Sequence, residues 1–164
     1  MNAVELVRIE AGLHDWAAME CGCGYRADHI PGDLIKTLEG EPPSGQGHDW
    51  ADNHAFIQSN LMEPAVATAA IAVAALAGDP GPVFRKQLIT LLGILATGEQ
   101  EDVAEACVDV IRGATWILYE ELFANRSIVA AAESYDLLGL MDEQSDRLRA
   151  FHRVVGANLP EYLR

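Results

Sequence analysis

The feature that most constrains this chain is an uncharged apolar run at residues 65–77, AVATAAIAVAALA, in which Thr68 is the one polar side chain. Crossing a bilayer takes about 20 apolar residues, and this run ends sooner, at Gly78-Asp79-Pro80. Eight of its thirteen residues are alanine, which favours helix and is depleted in strands. A helix that is apolar all round must be covered on several sides. The run therefore predicts a buried central helix, with a contact between copies of the chain as the alternative.

The remaining sequence predicts further helices and no strands. We expect a short first helix over residues 13–20 and a third helix over residues 50–61, with His54 on its apolar face as a core residue. Residues 83–98 are predicted to form an amphipathic helix with Arg85 and Gln87 on its solvent side. The tryptophans fall at apolar helical positions and are expected mainly in the core, although an exposed tryptophan would indicate a binding surface. They are Trp16, Trp50 and Trp116.

Length and charge narrow the class of protein. A chain of 164 residues is expected to form one domain, residues 1–164, with a substantial core. It carries 25 acidic against 11 basic residues, a formal net charge of -14. Such a surface repels phosphate backbones, so we expect no nucleic-acid partner. It would attract a basic protein, although an acidic surface can also serve solubility alone.

The N-terminal sequence shows no secretory signal pattern, which predicts a cytoplasmic protein with reduced cysteines. Cys21 and Cys23, with His14 and His29 nearby, are chemically suitable zinc ligands. However, they have one intervening residue, fewer than the usual two to four. We therefore interpret the sequence CGCG as a structural turn and predict no metal and no cofactor. Cys107 is expected to be a small core residue.

The order of segments resembles that of bacterial HEAT-repeat proteins. The resemblance covers about residues 13–140 and is carried by HIPGDLIKTL, AVATAAIAVAALAGDP, LITLLGILATG and CVDVIRG, followed by LYEELFANRSIVAAAESYDLLGL. It implies an all-α fold, a compact right-handed α-solenoid of antiparallel helix pairs, where periodicity alone would also allow a globular bundle. It further implies a protein-binding surface, and small acidic proteins of this kind include immunity proteins that neutralise toxin domains.

The candidate partner-binding residues are acidic. Glu101, Glu105 and Asp109 recur every fourth residue, so they should align on one helix face, where like charges at this spacing are mutually unfavourable. This pattern suggests an anionic ridge that binds a basic partner; an ordinary solvated helix face is the alternative. The predicted ridge comprises Glu99, Glu101, Asp102, Glu105, Asp109, Glu120 and Glu121.

No catalytic motif such as GxSxG, a P-loop or HExxH is present in the sequence. We therefore expect a non-enzymatic protein-binding module, for example an immunity-type inhibitor of a basic toxin domain. The alternatives are a scaffold or homo-oligomer that self-associates through the uncharged run or through the LLGIL segment, and a zinc protein or enzyme centred on Cys21, Cys23 and a histidine.

Overall fold

Eight α-helices make up most of the computed structural model, which describes residues 2–164. The helices are α1 (Ala3–Ala11), α2 (Ile30–Glu39), α3 (Ala65–Ala77), α4 (Pro82–Ala96), α5 (Glu101–Arg112), α6 (Thr115–Ala124), α7 (Ile128–Gly139) and α8 (Ser145–Val155). Two short antiparallel strands, β1 (Phe56–Ile57) and β2 (Asn60–Leu61), form a small hairpin. The fold is all-α, as predicted. No helix within residues 2–164 has the length and apolar character needed to cross a membrane.

Helix α3 is the buried central helix that the apolar run predicts. It begins after Pro64, ends before Gly78, and packs against α1, α4 and α5. The side chains of Ala69, Ile71 and Ala72 are fully buried. Small side chains on most sides let the neighbouring helices approach closely, so the helix serves as the centre of the core.

The other helices are arranged around α3 in layers. Helices α1 and α5 both pack against it, while α4 packs against α3, α5 and α7. Helices α6 and α8 then pack against α7. Ser127 caps α7, because its side chain accepts a hydrogen bond from the backbone N–H of Ala130.

The first 64 residues differ from the sequence-based prediction. The predicted helix over 13–20 is wrong: only a single 3₁₀ turn at Trp16–Ala18 forms there, and α1 lies earlier in the chain. The predicted helix over 50–61 is replaced by turns and the hairpin. Asn53 and Gln58 adopt left-handed backbone conformations there, with φ of 61° and 57°. Such conformations are incompatible with a continuous right-handed helix.

Two predictions of exposure also fail. Arg85 and Gln87, placed on the solvent side of α4 by periodicity, are 5% and 3% exposed. In contrast, Trp116 is 64% exposed, while Trp16 and Trp50 are buried as predicted. The Trp116 ring lies on the surface of α6 beneath the guanidinium of Arg147, 4.9 Å from the ring centroid, a cation–π geometry.

Candidate functional site

The acidic row predicted from the sequence lies on helix α5. Glu101, Glu105 and Asp109 are all exposed along this helix, and Asp102 is exposed beside them. Glu101 and Asp102 occupy the first turn of α5, where the helix macrodipole stabilises negative charge. This favourable interaction partly offsets the repulsion between the carboxylates.

A groove of about 540 Å³ runs beside this face of α5. Four carboxylates line it: Glu101 and Glu105 from α5, and Asp142 and Glu143 from the segment before α8. Arg112 is the basic residue of the lining. Its Nε donates to Oε1 of Glu143 at 2.5 Å, and its Nη1 pairs with Asp109. The groove therefore carries an excess of negative charge.

Two residues of the predicted ridge already have partners within the chain. Asp109 pairs with Arg112, so its charge is compensated locally. Glu99 lies before α5, where its backbone N–H donates to the carbonyl of Ser59 at 2.8 Å and its carboxylate accepts from the hydroxyl of Ser59. Glu99 thus attaches the hairpin turn to the start of α5.

The remaining predicted ridge residues, Glu120 and Glu121, belong to an ion-pair network between α4 and α6. The Nε of Arg85 donates to Glu121 at 2.8 Å and its Nη2 to Glu120 at 2.9 Å. Arg126 also contacts both carboxylates, and its hydrogen bond keeps the pKa of Glu120 below its ordinary value. Because Glu121 is 1% exposed, it does not extend the ridge toward a partner. These two glutamates join α4 to α6.

A second group of chemically active side chains lies at the other end of the chain. The donor atoms of Cys21, Cys23, His29 and His54 all lie within 4.8 Å of one another; we call these residues the Cys-His cluster. The Sγ of Cys21 is 3.4 Å from Nε2 of His29 and 3.2 Å from Nδ1 of His54. The Sγ of Cys23 is 3.8 Å from Nε2 of His29. Two thiols and two imidazoles are therefore directed at one point.

The backbone explains how residues from three segments meet. The turn around Cys21 is closed by hydrogen bonds from Gly24 N–H to Cys21 O and from Cys21 N–H to Tyr25 O. Gly22 N–H donates to the carbonyl of His54 at 2.9 Å, which fixes the His54 loop against this turn. A Cβ at Gly22 would lie 3.0 Å from that same carbonyl oxygen. Glycine is needed here because the two backbones approach so closely.

The cluster perturbs the acidity of its members. Burial raises the pKa of Cys21 to about 11. A hydrogen bond from the backbone of Tyr25, followed by one from Cys21, lowers the pKa of the exposed Cys23 to about 6. For His29, burial opposes protonation, but its hydrogen bond with Asp33 raises the pKa overall. This bond joins Nδ1 of His29 to Oδ2 of Asp33 at 2.9 Å, leaving Nε2 facing the cysteines.

The membership of the cluster differs from the sequence-based expectation. His14 is not part of it: its Nε2 lies 2.9 Å from a carboxylate oxygen of Glu10. Cys107 is buried in α5, as predicted, where burial raises its pKa to about 12. The participation of His54 was missed because the residue was placed on a helix. The orientation of His29 had a further local signal: Asp33 follows it by four residues, which places both side chains on the same side of the start of α2.

A smaller cleft of about 320 Å³ lies between α4 and α7. Glu133 and Asp136 line it opposite Gly93. Burial raises the pKa of both carboxyl groups, and the charge of Asp136 raises that of Glu133 further. The cleft therefore disfavours the ionised form of Glu133.

Comparisons with protein-family models, curated proteins and solved structures reveal no significant match to this chain.

Proposed function

We propose that this protein is a non-enzymatic binding module whose α5 groove binds basic side chains of a partner protein. The observation that carries the proposal is the lining of the groove. Glu101, Glu105 and Asp142 form no ion pair within residues 2–164, and the one guanidinium beside them is held by Asp109 and Glu143. Uncompensated carboxylates in a concave surface favour lysine and arginine side chains and speed their association.

The resemblance to HEAT-repeat proteins suggests the class of partner and the finer architecture. We favour a basic toxin domain, which the chain would inhibit by covering its active surface. The helices would form antiparallel pairs stacked as a right-handed α-solenoid; the packing of α3 on α4 and of α6 on α7 is consistent with such pairs. In a stacked array each pair depends mainly on its neighbours. A chain ending before α8 should therefore retain the remaining helices by circular dichroism, whereas complete unfolding would contradict the stacked arrangement.

Self-association through apolar segments is a less favourable alternative. The uncharged run forms α3, most of whose side chains are buried, and the LLGIL segment contributes Leu91, Leu92 and Leu95 to the core with no exposure. Neither segment therefore provides the surface on which that hypothesis depended. Sedimentation over a range of concentrations tests it, since mass-action dimerisation would raise the apparent mass.

Charge reversal at the groove tests the binding proposal. Wild-type protein and a Glu101→Lys/Glu105→Lys variant are immobilised in parallel, and proteins captured from the native host are identified by mass spectrometry. The matched control is Glu41→Lys/Glu161→Lys, which changes the net charge equally at two exposed carboxylates outside the groove. We expect capture of a basic protein by the wild type and the control, with the groove variant losing it.

Association kinetics complete this test with the captured protein as analyte. The groove variant should associate at least about tenfold more slowly at low salt, and the difference should shrink as salt is added. If the captured protein is a toxin enzyme, a stoichiometric amount of wild-type protein should inhibit it. An equal fall in association rate in the groove variant and the control would mean that overall charge, and not the groove, governs association.

A further inference from the structure

The Cys-His cluster has the composition and spacing of a closed metal site, and we propose that Cys21, Cys23, His29 and His54 bind one Zn²⁺ ion. Two thiolates and two imidazoles form one of the standard ligand sets of structural zinc. This inference is independent of the α5 groove, because none of the four residues lines that groove.

The distances fit tetrahedral coordination. With Zn–S bonds of about 2.3 Å and Zn–N bonds of about 2.0–2.1 Å, a tetrahedral ion places sulfur and nitrogen ligands about 3.6 Å apart. Three of the four sulfur–nitrogen separations in the cluster are 3.2, 3.4 and 3.8 Å, which bracket that value. All four donor atoms are within 4.8 Å of one another. Metal binding therefore requires only small side-chain adjustments.

The surroundings orient His29 as a ligand. Its Nδ1 is hydrogen-bonded to Asp33, so its Nε2 is the nitrogen presented to the cysteines. A carboxylate on the far nitrogen of a metal-binding histidine fixes its tautomer and ring direction. Asp33 would thus be a positioning residue, one that acts on the metal through His29.

The single residue between Cys21 and Cys23 does not prevent coordination by both thiols. The tight turn directs both sulfur atoms to Nε2 of His29, and His54 completes the set from a loop more than thirty residues away. The chain between α1 and α2, and between α2 and α3, contains only short 3₁₀ turns and the hairpin. A four-ligand ion would cross-link these irregular segments, which points to a structural role for the metal.

Cobalt substitution tests the site directly. The full chain is reduced with a non-chelating phosphine, freed of metal with a chelator, and titrated with Co²⁺ and then Zn²⁺. We expect saturation at one equivalent of Co²⁺, with the intense visible bands of tetrahedral cobalt and a near-ultraviolet thiolate-to-cobalt band. Zn²⁺ should displace the cobalt and raise the melting temperature.

Variants then assign the ligands. Cys23→Ser is the most informative because Cys23 is exposed and its replacement should not disturb the core. This variant should remain folded by circular dichroism. Its near-ultraviolet thiolate-to-cobalt band should lose the contribution of one of the two thiolates, and Zn²⁺ should no longer give most of its thermal stabilisation. His54→Asn should also weaken binding, whereas the matched control His14→Gln, which lies outside the cluster, should titrate like the wild type.

Asp33→Asn provides the test of the positioning role. We expect it to lower Co²⁺ affinity by about 10–100-fold while leaving the number of thiolate ligands unchanged, with a changed tautomer of His29 in the ¹⁵N spectrum. The proposal would be overturned by folded, reduced wild-type protein that binds no stoichiometric metal. It would equally be overturned by a cobalt spectrum without thiolate bands, or by unchanged metal binding in Cys23→Ser.

Discussion

Replacing Arg85 should destabilise this protein more than any other change of a charged side chain in its network. The guanidinium donates to Glu121 at 2.8 Å and Glu120 at 2.9 Å, and it also pairs with Asp79 at 3.4 Å. The side chains of Arg85 and Glu121 are 6% and 2% exposed. In Arg85→Met, Glu121 would stay buried with Arg126 as its remaining charged partner.

The size of the effect follows from this geometry. Breaking a buried ion pair by removing one partner costs about 3–5 kcal/mol. We expect about 3 kcal/mol here because Arg126 retains one contact with Glu121 at 2.9 Å. For a chain of this length that corresponds to a fall in melting temperature of roughly 6–12 °C. In contrast, Arg126→Met should cost about 1 kcal/mol or less, since its side chain is 36% exposed and Arg85 remains in place.

Urea unfolding followed by circular dichroism measures these free energies by linear extrapolation. The double variant Arg85→Met/Glu121→Leu should be more stable than Arg85→Met alone, because removing both buried charges avoids the unpaired carboxylate. Equal losses for Arg85→Met and Arg126→Met would refute the reasoning. So would a double variant whose loss of stability equals the sum of the losses measured for Arg85→Met and for Glu121→Leu alone, since that would mean the pair is not energetically coupled.

Three further changes test the core and its electrostatics. Ala72→Leu, at a fully buried position of α3, should lower the free energy of unfolding by about 1–3 kcal/mol through overpacking. A variant as stable as the wild type in urea unfolding would contradict this. Gly78→Ala should be destabilising because the new Cβ would lie 2.3 Å from the Cα of Ala3. Hydrogen exchange should show faster opening of α1 in this variant. The control Gly139→Ala should be tolerated, because there is open space around that position. The raised pKa of Glu133 means that the folded chain binds this proton more tightly than the unfolded chain. The contribution of Glu133 to stability is therefore present at low pH and is lost as the pH rises from its ordinary pKa of 4.5 through its higher pKa in the folded chain. Over this rise in pH, Glu133→Gln should lose less stability than the wild type in thermal unfolding.

Helical periodicity predicted where α3 and α4 lie, because both segments have a strong local preference for helix. Alanine content and the absence of charge predict α3 and its burial without any knowledge of its neighbours. The spacing of four residues places Glu101 and Glu105 on one face of α5 for the same reason. Such properties depend on the geometry of a single helix, which is contained in the local sequence.

The tertiary structure alone decided which side chains from separate segments come into contact. Periodicity placed Arg85 toward solvent, but a buried carboxylate on α6 lies opposite it, and that partner is 36 residues away in sequence. Likewise, the left-handed conformation of Asn53 and the close approach at Gly22 place His54 beside Cys21. Short-range patterns cannot encode such meetings, because loop conformation and long-range packing determine which side chains share one point in space.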